Sequence, residues 1–139
     1  MIILDTNVLS ELIRQEPDPA VVRWLDLQPS SSIWTTSITL MEMRSGLLYL
    51  PAGKRKIQIT EEVEAMLREE IEERYAVFDT DAAEESAKLM VARKLNGRPV
   101  EFRDTMLAGI VLSRRAILAT RNTSHFSDLG SSIVNPWNA

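Results

Sequence analysis

The sequence predicts an α/β fold in which a parallel sheet is covered by helices on both faces. Three observations lead there. Short apolar runs, beginning with Ile2-Ile3-Leu4, alternate with longer stretches of helical spacing. The runs are apolar throughout rather than every second residue, as strands buried on both faces are. Asp or Asn stands directly after several of them, at the C-terminal strand ends where parallel sheets assemble their sites. With 139 residues, 45% of them hydrophobic, the chain suits one domain over 1–139 with a core of its own.

Ile2-Ile3-Leu4 reads as the first strand, and Asp5-Thr6-Asn7 turns it into a helix carrying Val8, Leu9, Leu12 and Ile13. Asp18 caps a second helix with Pro19 in its first turn. Ser32–Thr36 reads as a strand and Ile38–Leu50 as a helix, broken by Pro51-Ala52-Gly53. Lys54–Arg74 reads as one long charged helix with Ile59, Val63, Met66, Leu67 and Ile71 on its apolar side. Ala76-Val77-Phe78 is a third strand, and Asp79-Thr80-Asp81 caps a helix over Ala82–Leu95 that stops at Asn96-Gly97. Thr105–Arg115 is the last helix, Ala116–Thr120 the fourth strand, and Ile133-Val134 the fifth.

Composition narrows the chemistry. The absence of cysteine removes disulfides, thiolate metal sites and thiol nucleophiles. The N-terminus lacks a basic segment and long apolar stretch, and no run approaches membrane-spanning length, so a cytoplasmic protein is expected. A net charge of −4 argues against a module that binds nucleic acid through a broad basic surface. Basic residues nevertheless gather at Lys54-Arg55-Lys56, Arg93-Lys94, Arg98, Arg103, Arg114-Arg115 and Arg121. They form either a local rim around an acidic site or ordinary solvated helix faces.

The candidate site is acidic. Asp5 closes the first strand, where it either faces the sheet edge or caps the next helix. Glu42 has the spacing of a capping box with Thr39, yet it adjoins the apolar side of its helix and so can face the sheet edge. Asp104 opens the last helix and reads equally as a cap. Asn122 follows the fourth strand and reads locally as a turn residue. Taken together, several carboxylates at one sheet edge repel one another unless a cation joins them. Oxygen-only ligands select hard ions such as Mg²⁺ or Mn²⁺, which activate water and neutralise charge developing on a phosphate. The single histidine, His125, reads as a packing residue, and one His with no cysteine argues strongly against a zinc hydrolase on His or Cys ligands.

These segments resemble the motifs of the PIN-domain ribonucleases. Ile2-Ile3-Leu4-Asp5-Thr6-Asn7-Val8 is similar to their opening. Ser37 to Gly46, with Glu42, is similar to their second acidic motif, and Asp104 to Gly109 to the third. Thr120-Arg121-Asn122-Thr123-Ser124-His125-Phe126 resembles the closing motif, and Val134-Asn135-Pro136-Trp137 the family tail. The order and span match nearly the whole chain, in particular the VapC toxins, FitB-like members among them. The resemblance implies a three-layer α/β/α fold with strand order 3-2-1-4-5, and Mg²⁺- or Mn²⁺-dependent endoribonuclease activity. It implies a toxin of a type II toxin–antitoxin pair, with RNA as substrate, a VapB- or FitA-like antitoxin as inhibitor, and homodimerisation. By position, Asp5 and Asp104 are the main metal ligands, Glu42 binds directly or through water, and Thr6, Asn7 and Thr120 orient them. Asn122 stands where many relatives carry a further acid, which leaves the second ion open. A cationic side chain of the antitoxin is expected to approach the carboxylates.

Two other readings compete. Aspartyl-phosphate phosphatases also place an Asp after the first strand, but they need a nearby second acid and a lysine after a later strand. Here Asn7 stands at the former place and no lysine follows the fourth strand. A non-catalytic PIN-like module that binds RNA or antitoxin would tolerate loss of Asp5, Glu42 or Asp104, and all three are present.

Overall fold

In the computed structural model, which describes residues 1–99 and 101–139, five short strands build one sheet. They are β1 (Ile2–Leu4), β2 (Ile33–Thr36), β3 (Tyr75–Ala76), β4 (Ile117–Ala119) and β5 (Ile133–Val134). Their order is β3-β2-β1-β4-β5 and every neighbouring pair is parallel. Between them run α1 (Thr6–Leu12), α2 (Pro19–Asp26), α3 (Ser37–Tyr49), α4 (Lys54–Met66), α5 (Thr80–Leu95) and α6 (Phe102–Ser113). Successive side chains of a strand face opposite layers, and β1 shows the consequence. Leu4 packs with Val8, Val21, Met43 and Val63 beneath α1–α4, whereas Ile3 packs with Leu107, Ile110 and Phe126 beneath α5 and α6. Both are fully buried, each contributing about 1.5–3 kcal/mol of apolar burial.

The β1–β4 register positions the site. Leu4 pairs with Ala119, so the next residues, Asp5 and Thr120, leave the sheet side by side. The Asp5 amide donates to the Ala119 carbonyl at 3.0 Å, holding the strand ends together one residue beyond the ladder. On the helical layer, α6 lies very close to α5. A Cβ on Gly109 would sit 2.6 Å from the Ala82 carbonyl oxygen and overlap Ser86 Oγ. That approach lets Ser86 Oγ donate to the Thr105 carbonyl at 3.1 Å, which ties the first turn of α6 to α5.

Several boundaries differ from the sequence reading. The charged helix does not run to Arg74: α4 stops at Met66, a wider turn of π type covers Leu67–Ile71, and Glu72 and Glu73 adopt φ of 50° and 61°. The chain thereby reverses without Gly or Pro, and Arg74 secures the reversal by donating to the Ile33, Ser30 and Glu70 carbonyls. The third strand is Tyr75–Ala76, because Thr35 and Thr36 of β2 pair there rather than farther along. The last helix begins at Phe102, so Asp104 lies within its first turn and is not its cap. Thr39 is not a cap either: Thr36 is, its hydroxyl accepting from the Thr39 amide at 3.1 Å. Glu42 is therefore one full turn inside α3, free of any capping role.

Candidate active site

Asp5 combines the two roles its position allows. As cap of α1 it accepts from the Thr6 amide at 2.7 Å through Oδ1. Its Oδ2 accepts from Thr120 Oγ1 at 2.8 Å and Asn7 Nδ2 at 3.4 Å. Asn7 Nδ2 also reaches Thr120 Oγ1 at 3.3 Å, and Asn7 Oδ1 accepts from the Arg121 amide at 3.0 Å. A carboxylate only 1% exposed is thus satisfied by donors from α1 and the end of β4. Thr6, Asn7 and Thr120 thus all hydrogen-bond to Asp5.

Glu42 reaches the same edge from α3, its Oε1 accepting from Thr6 Oγ1 at 2.8 Å. Asp104 arrives from α6, its Oδ2 facing His125 Nδ1 at 3.0 Å. The three carboxylates converge on the guanidinium of Arg103. Nη2 donates to Asp5 Oδ1 at 2.5 Å and to Glu42 Oε1 at 2.6 Å, and Nη1 to Asp104 Oδ1 at 3.0 Å. Nε adds a bond to Glu42 at 2.8 Å, and Nη2 one to Thr6 Oγ1 at 3.0 Å. Burial works against the guanidinium's charge, but the charge of Asp5 and the hydrogen bonds of Asp5, Glu42 and Asp104 outweigh it and push its proton affinity up. The mutual repulsion expected of clustered carboxylates is thus relieved from within the chain, which the sequence reading did not foresee.

This group lines an open cleft of about 630 Å³. Asn122 lines it too, but among the described residues no hydrogen bond joins its side chain to the three carboxylates. Its amide donates to Thr120 Oγ1 at 3.1 Å and its carbonyl accepts from the His125 amide. Arg121 stacks over the Trp137 ring, 4.8 Å from its centroid, and both border the cleft. This is a cation–π pair at the rim, with a flat face beside charge.

His125 is not the packing residue expected. Its side chain is 52% exposed, it lines the cleft, and it bonds to Asp104. Glu101 was passed over altogether, yet a carboxylate oxygen of Glu101, one of Asp104 and a ring nitrogen of His125 lie within 4.8 Å of one another. Asp104 therefore joins two groups, with Oδ1 toward Arg103, Asp5 and Glu42 and Oδ2 toward His125. In the sequence Arg103 stands only among the scattered basic residues. The usable signal for all three is proximity to recognised motifs: Arg103 adjoins Asp104, Glu101 lies three residues before it, and His125 is three residues beyond Asn122.

The donor set fits a hard divalent ion. All three converging side chains offer carboxylate oxygens, the ligand type a hard ion takes, and the fork of one guanidinium reaches all three through different nitrogens. Asp104, Asp5 and Glu42 come from three different elements braced by the sheet, which keeps the oxygens in place without the cation's help.

The chain as a whole has known relatives. The model of the PIN domain matches residues 2–131. VapC ribonuclease Y4jK of Sinorhizobium fredii is 39% identical over 99% of this chain and 98% of its own length. Toxin FitB of Neisseria gonorrhoeae is 32% identical over 99% of both chains. The crystal structure of FitAcB from Neisseria gonorrhoeae superposes with a TM-score of 0.90 at 32% identity, covering all of both chains. Sheet order, layer arrangement and full-length similarity agree, and the chain belongs to the PIN-domain family, with VapC- and FitB-type proteins as its relatives.

Proposed function

We propose that the protein is a Mg²⁺- or Mn²⁺-dependent endoribonuclease and the toxin of a type II toxin–antitoxin pair, acting in the cytoplasm as a homodimer held in check by a VapB- or FitA-like antitoxin. The observation that carries this reading is the convergence of Asp5, Glu42 and Asp104 on one guanidinium in an open cleft. The similarity to a named ribonuclease and a named toxin over nearly full length supports the substrate class and the biological role. No helix among the described residues is long and apolar enough to cross a membrane.

In this reading Asp5, Asp104 and Glu42 hold the ion. Bound there, it supplies an activated water and offsets negative charge on the phosphate undergoing hydrolysis. The chain's own groups do the rest. Thr6, Thr120 and Asn7 fix the Asp5 carboxylate so that its oxygens need not reorganise. Asn122 contributes a neutral amide to the cleft in place of a further acid. Arg121 with Trp137 presents charge and an aromatic face at the rim, suited to a phosphate and an unstacked base.

The test uses the purified full-length chain with single-stranded RNA, alongside thermal unfolding. Mn²⁺ or Mg²⁺ should switch cleavage on and raise the melting temperature by mass action. Asp5→Asn should shrink that rise. Unfolding temperatures indifferent to both ions in both proteins, with no cleavage, would instead indicate a binding module.

A further inference from the structure

We infer that Arg103 is a built-in competitor of the divalent ion: its guanidinium occupies the position where the ion binds and must withdraw before the ion can enter. The inference rests on the metal-dependent reading and adds a gate to it. The argument is one of shared acceptors. Asp5 Oδ1, Glu42 Oε1 and Asp104 Oδ1 are the oxygens through which the three carboxylates converge, and each already accepts from Arg103. A cation coordinated by those oxygens and a guanidinium donating to them in this geometry exclude each other.

Three features make Arg103 a removable occupant rather than a permanent part of the frame. First, Asp5 keeps donors of its own after Arg103 leaves, from the Thr6 amide and Thr120 Oγ1. Glu42 keeps Thr6 Oγ1, and Asp104 keeps His125. The acid cluster is therefore positioned without the arginine. Second, Arg103 belongs to α6 and its side chain is 24% exposed at the cleft, so a change of rotamer carries it toward solvent without moving a strand. Third, its charge is fixed, since the surrounding carboxylates hold its proton. Ion concentration, and not protonation of Arg103, sets the balance between the two states. The cation expected from an antitoxin has a counterpart inside the toxin chain itself.

A binding-competent state that is only partly populated weakens the apparent affinity by that fraction. If the arginine-out state is a tenth of the population, removing the competitor tightens ion binding about tenfold. The experiment is calorimetric titration of Mn²⁺ into wild type, Arg103→Gln and Arg103→Lys. It is paired with the ¹⁵N-resolved Nε–H signal of Arg103 during Mg²⁺ titration, assigned by its loss in the variants. Arg103→Gln should bind Mn²⁺ about tenfold tighter or more, and Arg103→Lys, which keeps charge but not the fork, should fall between. The wild-type Nε–H signal should move to the position of a solvated arginine in step with Mg²⁺ saturation. An Nε–H signal unchanged at saturating Mg²⁺ overturns the gate, because loss of charge alone cannot account for the arginine staying in place. Equal or weaker Mn²⁺ binding by Arg103→Gln also overturns it while leaving the metal-dependent reading intact. If Arg103→Gln fails to fold, the Nε–H titration and Arg103→Lys decide alone. Absence of binding by wild type and variants alike overturns both the gate and the reading beneath it.

Discussion

Asp104→Ala should lower the initial rate of RNA cleavage at saturating Mn²⁺ by at least about a hundredfold, the scale of lost metal-site contributions. Asp104 is the one carboxylate that belongs to both halves of the site, with Oδ1 on Arg103 and Oδ2 on His125. Its removal takes one of three converging carboxylates and also frees the His125 ring. The fold should tolerate the change, because the first turn of α6 is held by Ser86 on the Thr105 carbonyl and by the Thr105 amide on the Glu101 carbonyl. Circular dichroism separates loss of chemistry from loss of structure. A folded variant cleaving within about tenfold of wild type would remove Asp104 from the reacting centre.

The second large effect is on stability and comes from Asp128→Ala. Arg93 projects from α5 with its side chain 3% exposed, and it forks onto Asp128 at 2.7 and 2.9 Å. The same guanidinium donates to Thr105 Oγ1 and to the His125 carbonyl, both at 3.3 Å, so one ion pair joins α5, α6 and the segment carrying His125. Removing the carboxylate strands a buried guanidinium, and breaking such a pair from one side costs about 3 kcal/mol or more. Urea denaturation at neutral pH measures this. A cost under about 1 kcal/mol would show a pair no more important than an exposed one.

The same pair gives stability a pH signature. Burial pushes the Asp128 carboxyl up, but the hydrogen bonds and charge of Arg93, with the charge of Arg98, win and hold it below its ordinary value of 3.8. A group depressed in the folded state adds stability above its unfolded pKa and loses it as pH falls through the folded value. The wild type should therefore lose this increment only below about pH 4, and Asp128→Ala should lack that part of the acid limb.

How far the sequence alone carries depends on the range of the interaction involved. The strands were readable because continuous apolar runs have no other stable home in a chain of this kind, and four of the five lie within a residue of where the runs placed them. Their order was not readable from pattern, since nothing local says that β1 pairs with β4; it came with the family resemblance, and the observed sheet agrees. The end of α4 was missed because Lys54–Arg74 contains no Gly or Pro, and the left-handed turn falls on two glutamates. Thr39-to-Glu42 spacing suggested a capping box, but the same spacing arises one turn inside a helix whose true cap is Thr36. His125 and Arg103 were undervalued for a common reason. Their roles rest on contacts with Asp104 across the fold, with Asp5 and with Glu42, and a single sequence lists neighbours along the chain only. Asp5 shows the complementary case: it caps α1 through Oδ1, as its position suggested, and the same oxygen faces Arg103 in the cleft while Oδ2 accepts from Thr120.

The end groups left on a cleaved RNA test most directly whether the acidic cluster works as a metal-dependent hydrolase. Ribonucleases that use the ribose 2′-hydroxyl need a base and an acid at the phosphate, commonly histidines, and this chain has one histidine, committed to Asp104. Purified wild-type protein with one defined RNA and Mn²⁺ should leave a 5′-phosphate and a 3′-hydroxyl, and EDTA should abolish the cut. Cleavage that survives EDTA and leaves a 2′,3′-cyclic phosphate with a 5′-hydroxyl would contradict it.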